Sequence, residues 1–341
     1  MASDNAAWLD LTQEETLEPD LPIIDPHHHL WDARGSHYVQ QRYLLEDMLA
    51  DVNSGHNITQ TVFIECGAMF RADGPEYMAY IGETEFVNGI AAMCASGMYG
   101  KTRIGAGIVG SAPLRLGDKA SAEALDAQIH AGNGRFRGIR VGATWDADPR
   151  VGNHRTNPPD GMYGDATFRA GFQHLRQRGL TFEAWCYHTQ IHELTELAKA
   201  FPDTTIILDH FGGPIGVGPY AGKEDEVFAA WKAAIGPLSE CPNVMAKLGG
   251  IVMEVNGFHW QDRPKPPSSQ ELIERTRRYY EHTIEKFGAD RCMFESNFPV
   301  DKIACSYNVL WNSFKRLAAN YSAFEKASLF HDTAARVYSL N

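Results

Sequence analysis

Residues 21–32 read Leu-Pro-Ile-Ile-Asp-Pro-His-His-His-Leu-Trp-Asp, an apolar run that passes directly into three histidines. A doubly wound open sheet, the alternative fold, would need a phosphate-binding glycine loop after its first strand. Pro26 and the three histidines at 27–29 occupy that position instead. The stretch therefore favours a (β/α)8 TIM barrel, in which reactive side chains follow the carboxyl ends of the strands.

The rest of the chain repeats this alternation of a short apolar run and a helix-length segment, as a parallel sheet requires. We expect a short N-terminal extension, 1–20, followed by a single barrel domain, 21–341, with long loops on its active face. The predicted strands are 21–25, 61–66, 103–109, 136–141, 180–187, 204–210, 243–248 and 291–295. Apolar residues three or four apart predict helices over 120–131, 168–178, 190–200 and 269–287. Ser269 is the predicted cap of the last of these helices.

Composition narrows the class of partner. The chain has 341 residues, with 31 basic and 43 acidic side chains and a formal net charge of −12. Such an acidic surface does not attract nucleic acid or anionic lipid, so we expect neither as a partner. An acidic first segment without an apolar run, and six scattered cysteines, predict a cytoplasmic protein with reduced thiols. We expect a small-molecule acidic substrate, and nothing in the sequence opposes a homodimer.

Histidines at strand ends are the strongest chemical signal. His27 and His29 are two residues apart, so on a strand both imidazoles point to the same side. A catalytic zinc site takes three protein ligands and leaves one position for water, and His188 is the natural third ligand. The alternative is that the triplet is polar turn material. His210 ends the sixth predicted strand and is a further candidate for the site.

Other strand ends supply candidates for substrate binding. Arg140 presents a planar fork that could anchor a carboxylate, or could pair with a loop acid. Glu65 is either a site acid or the partner of an internal cation. Lys247 is likewise either a substrate-binding residue or the partner of a buried acid. Trp31 and Tyr187 are either the walls of a pocket or simple packing.

Four motifs in order resemble the amidohydrolase superfamily. They are the Asp-x-His-x-His-x-Trp opening at 25–31, Tyr-His-x-Gln at 187–190, Asp-His-Phe-Gly-Gly-Pro at 209–214 and Lys-Leu-Gly-Gly at 247–250. The chain is similar in particular to the amidohydrolase-related branch of metal-dependent hydrolases. That branch includes sugar-acid lactonases, 2-pyrone-4,6-dicarboxylate lactonase and, more distantly, aminocarboxymuconate-semialdehyde decarboxylase. The resemblance extends over about 22–338.

The resemblance implies roles for individual histidines. It implies that His27 and His29 are first-strand metal ligands and that His188 is the ligand from the fifth strand. It implies that His210 lies near substrate or water, and that the ion is a divalent metal, most simply Zn²⁺.

The eighth strand departs from the family pattern. Where most relatives end this strand Gly-Ser-Asp-x-Pro, with a metal-binding and proton-accepting aspartate, this chain reads Glu-Ser-Asn-Phe-Pro at 295–299. Asn297 accepts no proton at neutral pH and cannot be a general base. Glu295 is the nearest replacement carboxylate, or else a structural partner of an internal cation. The following Asp301 and Lys302 are predicted to be solvated charges.

These features lead to three hypotheses about function. The first is hydrolysis of a lactone or related cyclic ester that bears a carboxylate or hydroxyls. Its carbonyl oxygen would be polarised by a metal or by His188, His210 and Lys247, while Glu65, Glu295 or a histidine activates water. The second is a decarboxylase or lyase acting on an unsaturated or aromatic acid held by Arg140. The third is a barrel that binds a ligand without turnover.

Overall fold

The computed structural model describes residues 5–32 and 40–340, and it confirms the predicted (β/α)8 barrel. Eight parallel strands neighbour one another in chain order. They are β1 (Pro22–His28), β2 (Asn57–Ile64), β3 (Arg103–Gly110), β4 (Phe136–Arg140), β5 (Thr181–Ala184), β6 (Ile206–Leu208), β7 (Val244–Leu248) and β8 (Cys292–Phe294).

The barrel closes between β1 and the segment that follows β8. His28 and Phe298 form a parallel bridge, and the backbone N–H of His29 donates to the Phe298 carbonyl over 2.8 Å. The N–H of Asn297 likewise donates to the His27 carbonyl over 3.0 Å. The histidine stretch is therefore part of the closing seam, which we define as residues 27–29 together with residues 296–298.

The helices surround this sheet. They are α1 (Ala6–Leu9), α2 (Leu45–Val52), α3 (Ile81–Ala95), α4 (Asp118–Ala131), α5 (Ala166–Phe172), α6 (His174–Gln177), α7 (Ile191–Ala200), α8 (Glu224–Ser239), α9 (Ser269–Phe287), α10 (Tyr307–Leu317), α11 (Ala323–Ala327) and α12 (Thr333–Val337). Within the described ranges, no helix combines the length and the apolar character needed to cross a membrane.

Several predicted boundaries were wrong for local reasons. The segment 168–178 is two helices, because the chain turns at Gln173 between α5 and α6. Ser268, and not Ser269, caps α9: its hydroxyl accepts from the Glu271 N–H, while the Glu271 side chain accepts from the Ser268 N–H. This reciprocal arrangement is a capping box.

Strand lengths also differ from the prediction. β1 runs three residues beyond its predicted end, to His28, with a register shift against β2. β5 and β6 are shorter than predicted, since the chain leaves each strand early to form the loops of the active face. His210, for example, has a left-handed φ of 52°, which no strand residue adopts.

The interior of the barrel has an apolar floor and a charged layer. The floor is a buried cluster that includes Ile24, Val62, Met245 and Tyr338. Lys247 and other ionisable side chains are also fully buried in the barrel, although charged groups are costly to bury unless they are paired. All six cysteines are buried and free of disulfides, as the sequence predicts.

Candidate active site

A buried carboxylate joins two histidines at the carboxyl end of the barrel. Glu295 Oε2 lies 2.6 Å from His27 Nδ1, and Glu295 Oε1 lies 2.7 Å from His210 Nδ1. The three side chains are at most 3% exposed. The His210 ring donates its Nδ1–H to this carboxylate, which fixes its tautomer and leaves Nε2 as the basic nitrogen, whereas His27 Nδ1 is in close contact with the other oxygen.

The glycine pair after β7 makes room for this arrangement. Gly250 has a left-handed φ of 64°, and a Cβ at that position would collide with the His210 ring. A Cβ at Gly249 would collide with Glu295, whose Cγ lies only 2.5 Å from the ideal Cβ position. The Lys-Leu-Gly-Gly motif is thus needed for close packing of the two reactive side chains, since only glycine permits both the conformation and the approach.

Charged side chains surround His27. Its Nε2 lies 3.2 Å from Arg140 Nη1, and its Nδ1 lies 3.4 Å from Lys247 Nζ. Asp209 faces the same two cations, 3.5 Å from Arg140 and 3.7 Å from Lys247. Burial, followed by the charge of Lys247, holds the pKa of His27 well below its usual value. The His27 ring is therefore neutral at physiological pH.

Arg140 is part of a buried ion-pair system. Its Nε donates to Glu65 Oε1 over 2.9 Å, and its Nη2 donates to the Glu65 backbone carbonyl over 2.6 Å. Arg155, from the loop after β4, donates to the other carboxylate oxygen of Glu65. Burial raises the pKa of Glu65, but Arg155 and Arg140 outweigh it and bring the value to about 2. Glu65 is consequently an ionised bridge between two guanidinium groups.

An open pocket of about 210 Å³ gives access to this centre. Its lining includes His29, His210, Arg155 and Asn297, together with the predicted wall residues Trp31 and Tyr187. His29 places its Nδ1 2.8 Å from the Ile64 carbonyl, and its ring stacks on Trp31 at 5.8 Å. The ring centroids of His27 and His29 are 5.0 Å apart. The two histidines therefore reach the same site, as their spacing indicates.

Asn297 lies at the edge of the same pocket with a left-handed φ of 55°. Its side-chain nitrogen donates to Asp301 Oδ1 over 2.8 Å. Asp301 is 1% exposed, so the expectation of a solvated charge was wrong. Burial raises its pKa well above the usual range. Lys302 is also only partly exposed, because it pairs with Asp51 at 2.7 Å.

His188 lies apart from the His27–Glu295–His210 group. Its Nδ1 accepts from the Ile215 N–H over 3.4 Å, and its ring contacts Tyr220 edge-on. Burial lowers its pKa to about 4. The part of the chain that the structure describes has one group of histidines and acids with the spacing of metal ligands, and it consists of His27, His210 and Glu295.

This group contains the kind of donor atoms that zinc prefers, within 4.8 Å of one another. The surroundings fit less well, because the cations Arg140 and Lys247 already lie 3.2 Å and 3.4 Å from the His27 nitrogens. A divalent ion would add two more positive charges to a buried site and would displace a cation from His27. The arrangement as folded therefore does not fit a resident divalent cation, and Zn²⁺ on His27, His29 and His188 stays a prediction.

Some site residues were not recognised from the sequence. Asp209 begins the Asp-His-Phe-Gly-Gly-Pro motif at 209–214 and directly precedes His210. Its place at a strand end could therefore have identified it as a site residue. Glu183 is an ionisable residue within the buried strand β5, and such a residue indicates an internal ion pair. Arg155 lies in a long loop, and its contact with Glu65 depends on a fold of that loop that no local pattern predicts.

Comparisons with known proteins show which family this chain belongs to. The family model described as Amidohydrolase matches residues 24–340. The uncharacterized protein y4mH of Sinorhizobium fredii is 34% identical over 94% of this chain and 99% of its own length.

Two further relatives carry more specific descriptions. An L-fucono-1,5-lactonase of Burkholderia multivorans is 28% identical over 60% of this chain and 64% of its own length. A solved amidohydrolase from Burkholderia multivorans with bound zinc has a TM-score of 0.70 and 25% identity, over 94% of this chain and 99% of that one. The match to the family model spans most of the chain, and this protein belongs to the amidohydrolase family.

Proposed function

We propose that this protein hydrolyses a small lactone that bears a carboxylate or hydroxyl groups. The observation that carries this proposal is the buried Glu295 carboxylate, which accepts a hydrogen bond from His210 and contacts His27 beside an open pocket. The similarity to an L-fucono-1,5-lactonase supports the reaction class.

His210 is the proposed general base. Its Nδ1–H is held by Glu295, so Nε2 can take a proton from water while the carboxylate stabilises the imidazolium that forms. The water oxygen then bonds to the lactone carbonyl carbon, and the ring C–O bond breaks when the tetrahedral intermediate collapses. The His210 imidazolium returns its proton to the departing ring oxygen, which gives a hydroxy acid. These steps need only protein side chains.

Substrate binding is assigned to the arginine pair on Glu65. Both arginines line the pocket, but Arg140 is 5% exposed and its donors already face Glu65 and His27, whereas the side chain of Arg155 is 34% exposed. We therefore propose that Arg155 contacts the acidic group of the substrate and that Arg140 supports it through Glu65. Trp31 and Tyr187 form the walls, and His188 supports the loop beside the pocket.

Zinc remains a specific alternative for this centre. If the protein holds Zn²⁺, the residues that would bind it are His27, His210 and Glu295, and the ion would polarise the lactone carbonyl. The charge balance around His27 favours the reaction without it.

A panel of sugar-acid and carboxylated lactones tests the proposed reaction. Ring opening releases one proton for each acid formed at neutral pH, so a pH indicator follows it directly. We expect turnover of at least one lactone, lost in His210→Asn. Release of carbon dioxide from an unsaturated acid, with no lactone opened, would instead favour decarboxylation.

A further inference from the structure

A fully buried lysine lies in the interior of the barrel. Lys247 Nζ is 2.8 Å from Glu183 Oε2, 3.4 Å from His27 Nδ1 and 3.7 Å from Asp209 Oδ1. Lys247 and Glu183 are both 0% exposed. A buried ammonium stays charged only if carboxylates compensate it, so the position of Glu183 determines where the charge of Lys247 rests.

Tyr338 holds the other side of Glu183. Its hydroxyl donates to Glu183 Oε1, and its ring centroid is 5.5 Å from Lys247 Nζ. Tyr338 follows α12 and packs into the apolar floor beside Ile24 and Val62. It is absent from the lining of the pocket that gives access to His210.

We propose that Tyr338 is a positioning residue for the reaction, because its hydroxyl fixes Glu183 and Glu183 holds the Lys247 ammonium beside His27. This inference rests on the proposed function. It adds a chain of contacts that joins the floor of the barrel to its reactive centre. The charged groups that face Glu183 are Lys247 from β7, Asp209 after β6 and Arg140 from β4.

The consequence for the reaction follows from geometry. Lys247 supplies positive charge to both Asp209 and Glu295, and Glu295 orients the two histidines. Without the tyrosine hydroxyl, Glu183 loses a donor and can turn toward Lys247, which draws the ammonium away from His27. The two histidines then lose their fixed orientation, while the pocket that binds substrate is unchanged.

Tyr338→Phe tests this role because it removes the hydroxyl and leaves the ring. We expect kcat to fall about tenfold with KM unchanged. This is the usual effect of losing a residue that orients catalytic groups without contacting the substrate. Tyr43→Phe is the matched control, because Tyr43 is also buried and donates to a carboxylate, that of Asp51, over 2.6 Å. We expect that control to keep both constants.

A double variant tests whether Tyr338 acts through Glu183. If it does, Tyr338→Phe combined with Glu183→Gln has the same kcat as Glu183→Gln alone. The inference would be overturned if the double variant showed the product of the two single losses in kcat. It would also be overturned if a lower thermal midpoint of Tyr338→Phe accounted for its loss of activity.

A crystal structure of Tyr338→Phe separates this role from the proposed reaction, because it needs no substrate. We expect Lys247 Nζ to lie more than about 4 Å from His27 Nδ1, beyond contact of the two polar groups. An ammonium that keeps its place would overturn the positioning role whether or not the wild-type protein opens lactones. A displaced ammonium in a protein that opens no lactone would instead contradict only the proposed function.

Discussion

The side-chain amide of Asn297 donates to Asp301 Oδ1, so a buried acid four residues further along the chain orients this amide. The amide oxygen must then face away from Asp301. The eighth strand thus ends in an amide that is held by the buried carboxyl group of Asp301.

Asn297→Asp is predicted to destabilise the protein. The change replaces a donor by a second acid beside Asp301, and two adjacent buried carboxyls cannot both ionise, so one pKa rises further. The folded variant then keeps a proton that the unfolded chain loses, so its free energy of unfolding falls as pH rises. This loss relative to wild type grows from pH 5 to pH 8 and reaches about 2 kcal/mol. Denaturant unfolding at the two pH values measures it. A variant that is as stable as wild type at pH 8 would contradict the pairing.

Glu295→Gln is predicted to lower kcat by roughly 10²–10⁴-fold, because the His210 base then lacks the carboxylate that fixes its tautomer and stabilises its imidazolium. A neutral glutamine cannot stabilise the His210 imidazolium as a carboxylate does, whereas Asn297→Ala removes no charge from His210 and is expected to cost less. Steady-state kinetics of both variants provide the measurement, with the exposed Glu196→Gln as control. A larger loss in Asn297→Ala than in Glu295→Gln would contradict Glu295 as the group that supports the base.

Arg155→Gln is predicted to weaken an acidic substrate by about 1.5–3 kcal/mol and to leave a neutral analogue nearly unaffected, as for a lost hydrogen bond to a charged group. Arg140→Ala is expected to impair both substrates equally, because it leaves Glu65 and Asp209 without their buried partner. The measurement is KM for the two substrates, with Arg176→Gln, a surface change, as control. If Arg140→Ala alone discriminates between them, Arg140 is the anchor.

The pH dependence of stability is predicted to depend on Glu83. Burial, followed by the charge of Glu65, raises the pKa of Glu83 from 4.5 to about 7. Between these values the folded protein keeps a proton that the unfolded chain has lost, so the free energy of unfolding falls as pH rises, by up to about 3 kcal/mol. Glu83→Gln keeps an oxygen for the Cys66 and Ala68 amides and removes this dependence. If the free energy of unfolding depends on pH in the same way in wild type and variant, the predicted rise in the pKa of Glu83 is wrong.

Metal content is predicted to be low. Because the cations Arg140 and Lys247 already lie beside His27, we expect less than one zinc per chain and the same activity before and after chelation. Elemental analysis of the purified protein, with activity measured on the same sample, provides the test. One equivalent of zinc whose removal abolishes activity would instead show that a metal takes part in the reaction.

The sequence predicts those features that depend on periodicity and on strand ends. The eight strands, the shared side of His27 and His29, and the place of Glu65 and Arg140 at the active face follow from local pattern. The contacts of Arg155, Asp301 and Tyr338 do not, because each joins segments far apart in the chain or depends on how a loop turns. Asp301 illustrates the difference: its loop position suggests solvent, but the backbone turn after Asn297 buries it.

The closing seam of the barrel has a consequence for engineering. The strand that begins the barrel and the segment that ends it are joined through His27–His29 and Asn297–Phe298, so the joint that closes the barrel lies at the reactive centre. Lengthening either segment by one residue would shift every side chain beyond it to the other face. New domains are therefore best inserted elsewhere, such as the exposed turn at 222–223 before α8, where they leave the joint between first and last strands intact.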